Sequence, residues 1–235
     1  MSRSDYAFGA LLALTAGALT ILIGYVFLIA PEAQLAAGGL AQKIFYFHVP
    51  AAYAMYLSGV VCLFSSAAYL LSPTDRRDAW AKASAEAAVL FGAFVLTSGP
   101  LWAKKAWGLY WTWEPRLTTS LLSVLTYAAI VLIRGFAGEG RAERKFAAAF
   151  GVLGTINLPF IHVSVRKWGG NHPTVITGDG GGISSEMATG LMLGFFTMTL
   201  LAVVFIWSRA RLAQAQSRAR GVTELAAAAR SGGGA

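Results

Sequence analysis

The chain has 235 residues, of which 56% are hydrophobic and only 13% charged, about half the charged fraction of a typical soluble domain, and this composition indicates a membrane protein. The formal net charge is +8, but most basic residues lie in short stretches beside apolar runs, which argues against a nucleic-acid-binding surface. The single cysteine, Cys62, lies within an apolar run, which excludes a disulfide framework and a CxxC redox pair.

Six apolar runs are long enough to cross about 30 Å of hydrocarbon as helices. They cover residues 7–29, 46–71, 83–102, 117–134, 145–163 and 187–208. The runs lack strand-like alternation, and an open sheet cannot satisfy its backbone in lipid, so the sequence predicts an all-α bundle of six transmembrane helices. The first run is longer than the apolar part of a signal peptide and five runs follow it, so we expect a retained helix. Residues 209–235 are predicted to form a cytoplasmic tail, a helix that frays into a disordered end.

The lysines and arginines predict the orientation of the bundle. Thirteen of them fall at the two termini and in the connections after the second and fourth spans, whereas six fall in the other three connections. By the positive-inside rule, both termini should be cytoplasmic. We therefore expect a multi-pass protein of the inner (plasma) membrane, with the three less basic connections on the outer, periplasmic side.

The outer connection between the third and fourth spans, residues 102–118, holds four of the seven tryptophans. Indole rings offer a large, rigid apolar surface. An aromatic belt is the alternative interpretation, but a belt would be spread among the helix ends, so the concentration in one connection favours a binding site. Gly108 and Pro115 interrupt the helical pattern, and Pro115 suits the first turn of the next helix, with Glu114 near its N-cap.

All three histidines fall on the predicted outer side. Imidazole is the commonest metal ligand, and an ionisable group at the membrane is a functional candidate by default. His48 and His172 border different aromatic-rich outer segments, and each is followed within two residues by a proline that restrains the local backbone. We therefore predict that both are ligands. His162 lies in the apolar stretch 157–162, and we interpret it as a hydrogen-bonded packing residue.

A haem suits these residues better than a bare metal ion. Zinc sites take three or four Cys, His or carboxylate ligands, and this side has no cysteine and no HExxH. Two histidines suffice for haem, because the porphyrin supplies four nitrogens and the protein only the axial ligands. Indoles would pack on or beside the ring, and cations would pair with its propionates; Arg116 is our first choice because guanidinium binds carboxylate in a bidentate way. The other outer cations are Lys104, Lys105, Arg166 and Lys167.

Three motifs carry a resemblance to a known family. The sequence Trp107-Gly-Leu-Tyr-Trp111-Thr-Trp113-Glu-Pro-Arg116-Leu-Thr resembles the signature of the tryptophan-rich (WWD) haem-handling superfamily. Phe47-His48-Val-Pro50 before it, and Asn157-Leu-Pro-Phe-Ile-His162 after it, with His172 ten residues beyond His162, resemble the CcmC branch of that superfamily, which serves cytochrome c maturation. The resemblance extends from the first span through the sixth.

This resemblance implies an inner-membrane protein of six helices that binds haem b on its periplasmic face. The family's two ligand histidines correspond to His48 and His172, and the cofactor-binding segment would contribute Trp107, Trp111, Trp113, Glu114 and Arg116. The family further implies that the protein presents haem to the haem chaperone CcmE and works with the small membrane subunit CcmD and the ATP-driven CcmAB transporter. Glu114 stands where the motif has Asp, so the negative charge at that position is retained. Pro115 stands where many relatives have Ala.

We expect a haem carrier and presenter rather than an enzyme. The sequence has no evident acid–base pair or nucleophile, and the glycine cluster 178–182 lacks the phosphate-binding pattern GxxxxGK[ST]. Two other interpretations stay open. A polytopic transporter with an aromatic belt would place ionisable residues near mid-membrane, where the sequence offers little beyond Glu86. A haem-delivering cytochrome c synthase of the same superfamily would generally be larger, with added spans and further histidines.

Overall fold

A computed structural model describes residues 3–32, 38–136, 140–170, 172 and 183–232. Within these residues the chain forms helices and no strand. The first two helices are α1 (Arg3–Gly24), which continues as a π-helical turn (Tyr25–Ile29), and α2 (Phe45–Leu71), which follows a short 3-10 helix (Gly39–Ile44). The others are α3 (Asp75–Trp107), α4 (Pro115–Phe136), α5 (Arg141–Thr155), α6 (Asn157–Trp168) and α7 (Ser185–Gly232).

The all-α prediction with six spans is confirmed. Six helical segments of the described chain are long and apolar enough to cross a membrane, with α5 and the first part of α6 forming one of them. Each predicted span lies inside one of these segments, although α3 and α7 extend well beyond the apolar runs. Helix α7 continues through residues 209–232. The end of the predicted tail, 233–235, and the glycine cluster 178–182 lie outside the described residues.

Helix α2 lies at the centre of the bundle and packs against α3, α5 and α7. Small residues allow this close packing, as is common between membrane helices. A Cβ at Gly151 of α5 would lie 2.5 Å from Ser66 Oγ of α2, and one at Gly194 of α7 would lie 2.6 Å from the Tyr46 carbonyl oxygen of α2. Helix α1 packs mainly on α7, at the edge of the bundle.

The break between α5 and α6 has a proline as its cause. Pro159 cannot donate a backbone hydrogen bond to the carbonyl of Thr155, the last residue of α5. Asn157, at the start of α6, fixes the new helix to α4 instead: its Nδ2 donates to the Thr119 carbonyl at 2.8 Å and to Ser123 Oγ at 2.7 Å. The break therefore sets the direction in which α6 leads toward His162 and His172.

Ion pairs connect the helices at the end of the bundle that lies away from His48 and His172. Arg134 of α4 makes a bidentate pair with Asp78 of α3, with N–O distances of 2.6 and 2.7 Å, and both side chains are buried. Arg144 of α5 reaches Asp78 at 3.6 Å. Glu86 of α3 is paired with Arg209 of α7 at 2.6 and 3.0 Å. These groups therefore serve helix packing, which weakens the transporter interpretation.

Candidate functional site

The tryptophan segment is held between two well-defined helix ends. Helix α3 ends at Trp107, and Gly108 adopts a left-handed conformation (φ 78°) that lets its N–H bond to the Lys104 carbonyl. Helix α4 begins at Pro115, as predicted, and the Glu114 carbonyl accepts the Thr118 N–H at 3.0 Å. The predicted interruption of the helical pattern is confirmed, and residues 108–114 form a short non-helical connection.

A cavity of about 780 Å³ lies at this end of the bundle, where the connections after α1, α3 and α6 meet. Its volume is in the range of sites that enclose small molecules and cofactors. Most of its lining is apolar, with few polar groups. The predicted site residues that line it are His48, Trp107, Trp111, Arg116 and His172.

His48 enters the cavity from the first turn of α2 and is held by α3. Its Nδ1 lies 2.9 Å from the buried Ser98 hydroxyl. That hydroxyl donates to the Phe94 carbonyl at 2.7 Å, so it accepts the hydrogen bond from His48 Nδ1–H. The lone pair of the imidazole is then on Nε2. A Cβ at Gly99 would lie 3.1 Å from His48 Cε1, so the absence of a side chain at Gly99 makes room for the ring.

His172 approaches from the connection after α6 and contacts Arg116 of α4. Arg116 Nη1 lies 2.9 Å from His172 Nδ1, and its Nε donates to the Ile161 carbonyl at 3.3 Å. The guanidinium thus lies between α4, α6 and His172, inside the cavity lining. Two histidines and an arginine that are far apart in the sequence are brought to one cavity.

Three of the four tryptophans in residues 102–118 line the cavity, and the fourth, Trp113, does not. Trp102 and Trp107 form an edge-to-face pair with ring centroids 5.2 Å apart, and both line the cavity together with Trp111. Trp102 is fixed by a 2.9 Å hydrogen bond from Nε1 to Gln42 Oε1. Trp113 stacks edge-to-face on Trp111 at 5.8 Å but is 76% exposed and lies outside the lining.

Glu114 also lies outside the cavity lining. Its carboxylate lies close to the chain after α6: a Cβ at Gly170 would be 2.9 Å from Glu114 Oε2, and Gly170 has φ 143°, a conformation that side chains rarely adopt. Glu114 therefore belongs to the contact between the tryptophan segment and the His172 connection. Glu114 is thus next in sequence to residues near the cavity but does not line the cavity itself.

The sequence suggested that His162 of α6 is a hydrogen-bonded packing residue, and the structure places it differently. Its side chain is exposed and lines the same cavity as His48 and His172. The three histidines do not form a bare-metal centre, because no group of three or more His, Cys, Asp or Glu side chains in the described part of the chain is arranged to hold a metal ion. This donor set suits an iron that already has four porphyrin nitrogens.

One buried polar atom gives a further indication of a polar ligand. The indole Nε1 of Trp111 is buried and has no hydrogen-bond partner among the described residues. Buried N–H groups are normally satisfied, so such a donor beside a cavity suits a ligand that carries acceptor atoms. The indole surfaces, the imidazoles, the guanidinium and this N–H together fit a flat apolar ring with carboxylate substituents, which is the chemistry of haem.

Several lining residues were not predicted from the sequence. They include Gln42, Tyr53, Tyr56, Trp102, Ile183 and Phe195. Trp102 carried a usable signal, because it belongs to the tryptophan segment. The other lining residues carried no such signal in the sequence. They lie in apolar runs or ordinary connections, and the direction of their side chains depends on how the helices pack.

Comparison with known proteins identifies the family. The CcmC family model, described as heme exporter protein C, matches residues 4–224. A protein of Marchantia polymorpha named putative cytochrome c biosynthesis ccmC-like mitochondrial protein is 31% identical over 168 residues, which is 71% of this chain and 71% of that protein. Heme exporter protein C of Bradyrhizobium diazoefficiens is 33% identical over 169 residues, 70% of this chain and 64% of the relative.

Heme exporter protein C of Escherichia coli K12 is 30% identical over 137 residues, 57% of this chain and 55% of the relative. The aligned region thus covers less than two thirds of the full length of each of these two bacterial relatives. The family match itself covers nearly the whole chain and includes the helices and connections that build the cavity. The chain belongs to the CcmC, or heme exporter protein C, family.

Proposed function

We propose that this protein binds haem b in the cavity at the outer end of the bundle and hands it to the haem chaperone CcmE during cytochrome c maturation. The observation that carries the proposal is the convergence of His48, His172, Arg116 and three indoles on one cavity of about 780 Å³. The family supports the same role, since relatives are named heme exporter protein C or cytochrome c biosynthesis protein.

In the proposed complex, the histidines bind the iron from two different elements, His48 from α2 and His172 from the connection after α6. The edge-to-face pair of Trp102 and Trp107 supplies apolar surface for the ring. Arg116 pairs with a propionate, because guanidinium can donate two parallel hydrogen bonds to a carboxylate and the ammonium group of lysine cannot. In this proposal the histidines would bind the iron, the indoles would pack on the porphyrin ring, and the arginine would pair with a propionate.

The exposed side chains beside the cavity suit transfer to a partner from the aqueous side. Leu109, Tyr110 and Trp113 are each more than half exposed in the connection between α3 and α4. Exposed aromatic residues next to a binding site favour protein contact. We propose that the chaperone docks on this connection and takes haem without entering the lipid.

The proposed role is that of a carrier and presenter. The binding energy and geometry come from this chain, while the reactivity belongs to the haem and to the partner. We further propose that the protein lies in the inner membrane with its haem site on the periplasmic side, and that it works with CcmD and the ATP-driven CcmAB transporter.

A transfer experiment tests the proposal. The purified protein is loaded with haem, mixed with a purified CcmE-type chaperone, and separated from it by an affinity tag. We expect the Soret absorption to move from the membrane protein to the chaperone. The proposal fails if haem stays with the membrane protein, or if the chaperone acquires the same amount of haem when the membrane protein is left out.

A further inference from the structure

The contact between Arg116 and His172 fixes the hydrogen-bonding state of the histidine. Arginine has only N–H donors and stays protonated in proteins. Arg116 Nη1 lies 2.9 Å from His172 Nδ1, so that ring nitrogen accepts the hydrogen bond and carries no proton. In the neutral imidazole the proton is then on Nε2.

In this state His172 has no nitrogen ready for iron. Its Nδ1 lone pair is used by Arg116, and its Nε2 lone pair is absent because that atom carries the proton. A histidine binds a metal through an unprotonated nitrogen, so His172 can bind iron through Nε2 only after it leaves Arg116.

His48 is in the opposite state. Its Nδ1–H donates to Ser98, whose own proton is used by the Phe94 carbonyl, so Nε2 carries the lone pair. A histidine that donates through one nitrogen while the other is free for the metal is the usual arrangement of a ligand. The two histidines of one cavity thus differ: His48 has an unprotonated Nε2 that can bind iron, whereas both ring nitrogens of His172 are occupied, one by a hydrogen bond and one by a proton.

We propose that Arg116 acts as a latch on His172, so that haem binds first through His48 and gains its second ligand only when Arg116 moves from His172 to a haem propionate. This inference rests on the proposed haem-binding function and adds an order of events to it. When the latch opens, Nδ1 of His172 takes a proton from water and Nε2 releases one, so no net proton is bound or lost. Loss of the propionate contact closes the latch again and frees haem from one ligand, which suits a protein that must give its cargo away.

The first test uses the protein without haem. The chain has three histidines, so labelling with ¹⁵N-histidine gives six ring nitrogen signals, which His48→Gln, His162→Gln and His172→Gln variants assign. We expect His172 to show the Nε2–H tautomer and His48 the Nδ1–H tautomer. In Arg116→Met the His172 signals should move to those of a mixture of tautomers. The proposal is overturned if His172 shows the Nδ1–H tautomer in the wild-type protein.

The second test separates the latch from the propionate contact. Binding of iron protoporphyrin is followed in rapid mixing, with one histidine and then two giving successive absorption changes. We expect the second phase to be about tenfold faster or more in Arg116→Met, since a hydrogen bond from a charged donor has been removed. With the dimethyl ester of the same haem, which has no carboxylates, the wild-type protein should stay with one histidine ligand, whereas Arg116→Met should acquire both.

The matched control is Lys105→Met, which removes a cation from the same end of the bundle outside the cavity lining; it should behave like the wild-type protein with both haems. Identical second phases in wild-type protein and Arg116→Met would overturn the latch while leaving haem binding intact. If neither form of haem binds at all, the proposed function fails instead, and the tautomers measured without haem still report on the latch.

Discussion

The imidazole of His48 in α2 and the hydroxyl of Ser98 in α3 lie 2.9 Å apart, and this contact orients the histidine. Ser98 is only 7% exposed and is itself held by the Phe94 carbonyl. The pair joins the two helices that pack most extensively in the bundle. Orientation of a metal ligand by a group behind it raises metal affinity, since it fixes both the tautomer and the ring.

Removing the Ser98 hydroxyl should therefore weaken haem binding. In Ser98→Ala, His48 loses its acceptor and both its tautomer and its ring angle become variable. We expect haem affinity to fall about 10- to 100-fold, as for other partners of metal-binding histidines. A haem titration followed by the Soret band measures this change. Thr97→Ala is the control, because Thr97 is exposed on the same turn and its hydroxyl, among the residues described, bonds only to carbonyls of its own helix. Equal affinities in Ser98→Ala and the control would contradict the assignment.

A methyl group at Gly99 should disturb the same histidine by crowding. A Cβ there would lie 3.1 Å from His48 Cε1, so the ring must shift by a few tenths of an ångström. We expect Gly99→Ala to lower haem affinity less than Ser98→Ala does, with the fold retained. Gly17→Ala in α1, where a Cβ meets nothing within 4 Å, should leave affinity unchanged. Wild-type affinity in Gly99→Ala would show that His48 is not held at this position.

The tryptophans should differ in their effect on haem binding. Trp111 lines the cavity and has a buried N–H, whereas Trp113 is mostly exposed. We expect Trp111→Ala to reduce haem affinity more than Trp113→Ala does, and Trp113→Ala to slow transfer to the chaperone instead. Haem titration and the transfer experiment measure the two effects separately. The reverse order of affinities would place the haem on the exposed side of the connection.

The buried ion pair should contribute strongly to stability. In Arg134→Met, the one ion pair left to Asp78 within the described structure is the longer contact to Arg144 at 3.6 Å. We expect the free energy of unfolding to fall by about 3 kcal/mol, the lower end of the cost of breaking a buried pair. Thermal unfolding in detergent measures this change. Arg211→Met removes a more exposed pair with Asp5 and should cost at most about 1 kcal/mol.

A double variant, Arg134→Met with Asp78→Leu, serves as the check on that prediction. It removes both charges, so no buried charge is left uncompensated, and most of the stability should return. If the double variant is less stable than Arg134→Met alone, the pair does not act in the way proposed, and the loss in the single variant has another cause.

The sequence predicted the helices and their ends where local physics decides them. Hydrocarbon thickness sets the length of an apolar run, while Gly108 and Pro115 end α3 and begin α4 through their backbone preferences. The predicted candidates His48, His172 and Arg116 do line one cavity. The histidines could be chosen because the chain has only three of them, and Arg116 because it lies in the tryptophan segment.

Other features of the site depend on packing that no local pattern records. Ser98 meets His48 because of how α2 and α3 are rotated against each other. Trp113 lies in the non-helical residues 108–114, so no helical periodicity could predict that it is exposed. His162 lies in α6, which starts anew at Asn157, so the periodicity of the preceding helix could not predict which side His162 faces.

The claim that two imidazoles from separate elements bind one haem iron is tested most directly by absorption spectra of the purified, haem-loaded protein. Wild-type protein, His48→Ala, His172→Ala and the double variant are compared, with Lys105→Met, outside the cavity lining, as the control. We predict a spectrum typical of two axial histidines in the wild type and the control, altered ligation in each single variant, and no Soret band above that of free haem in the double variant. A wild-type Soret band in the double variant would contradict the claim.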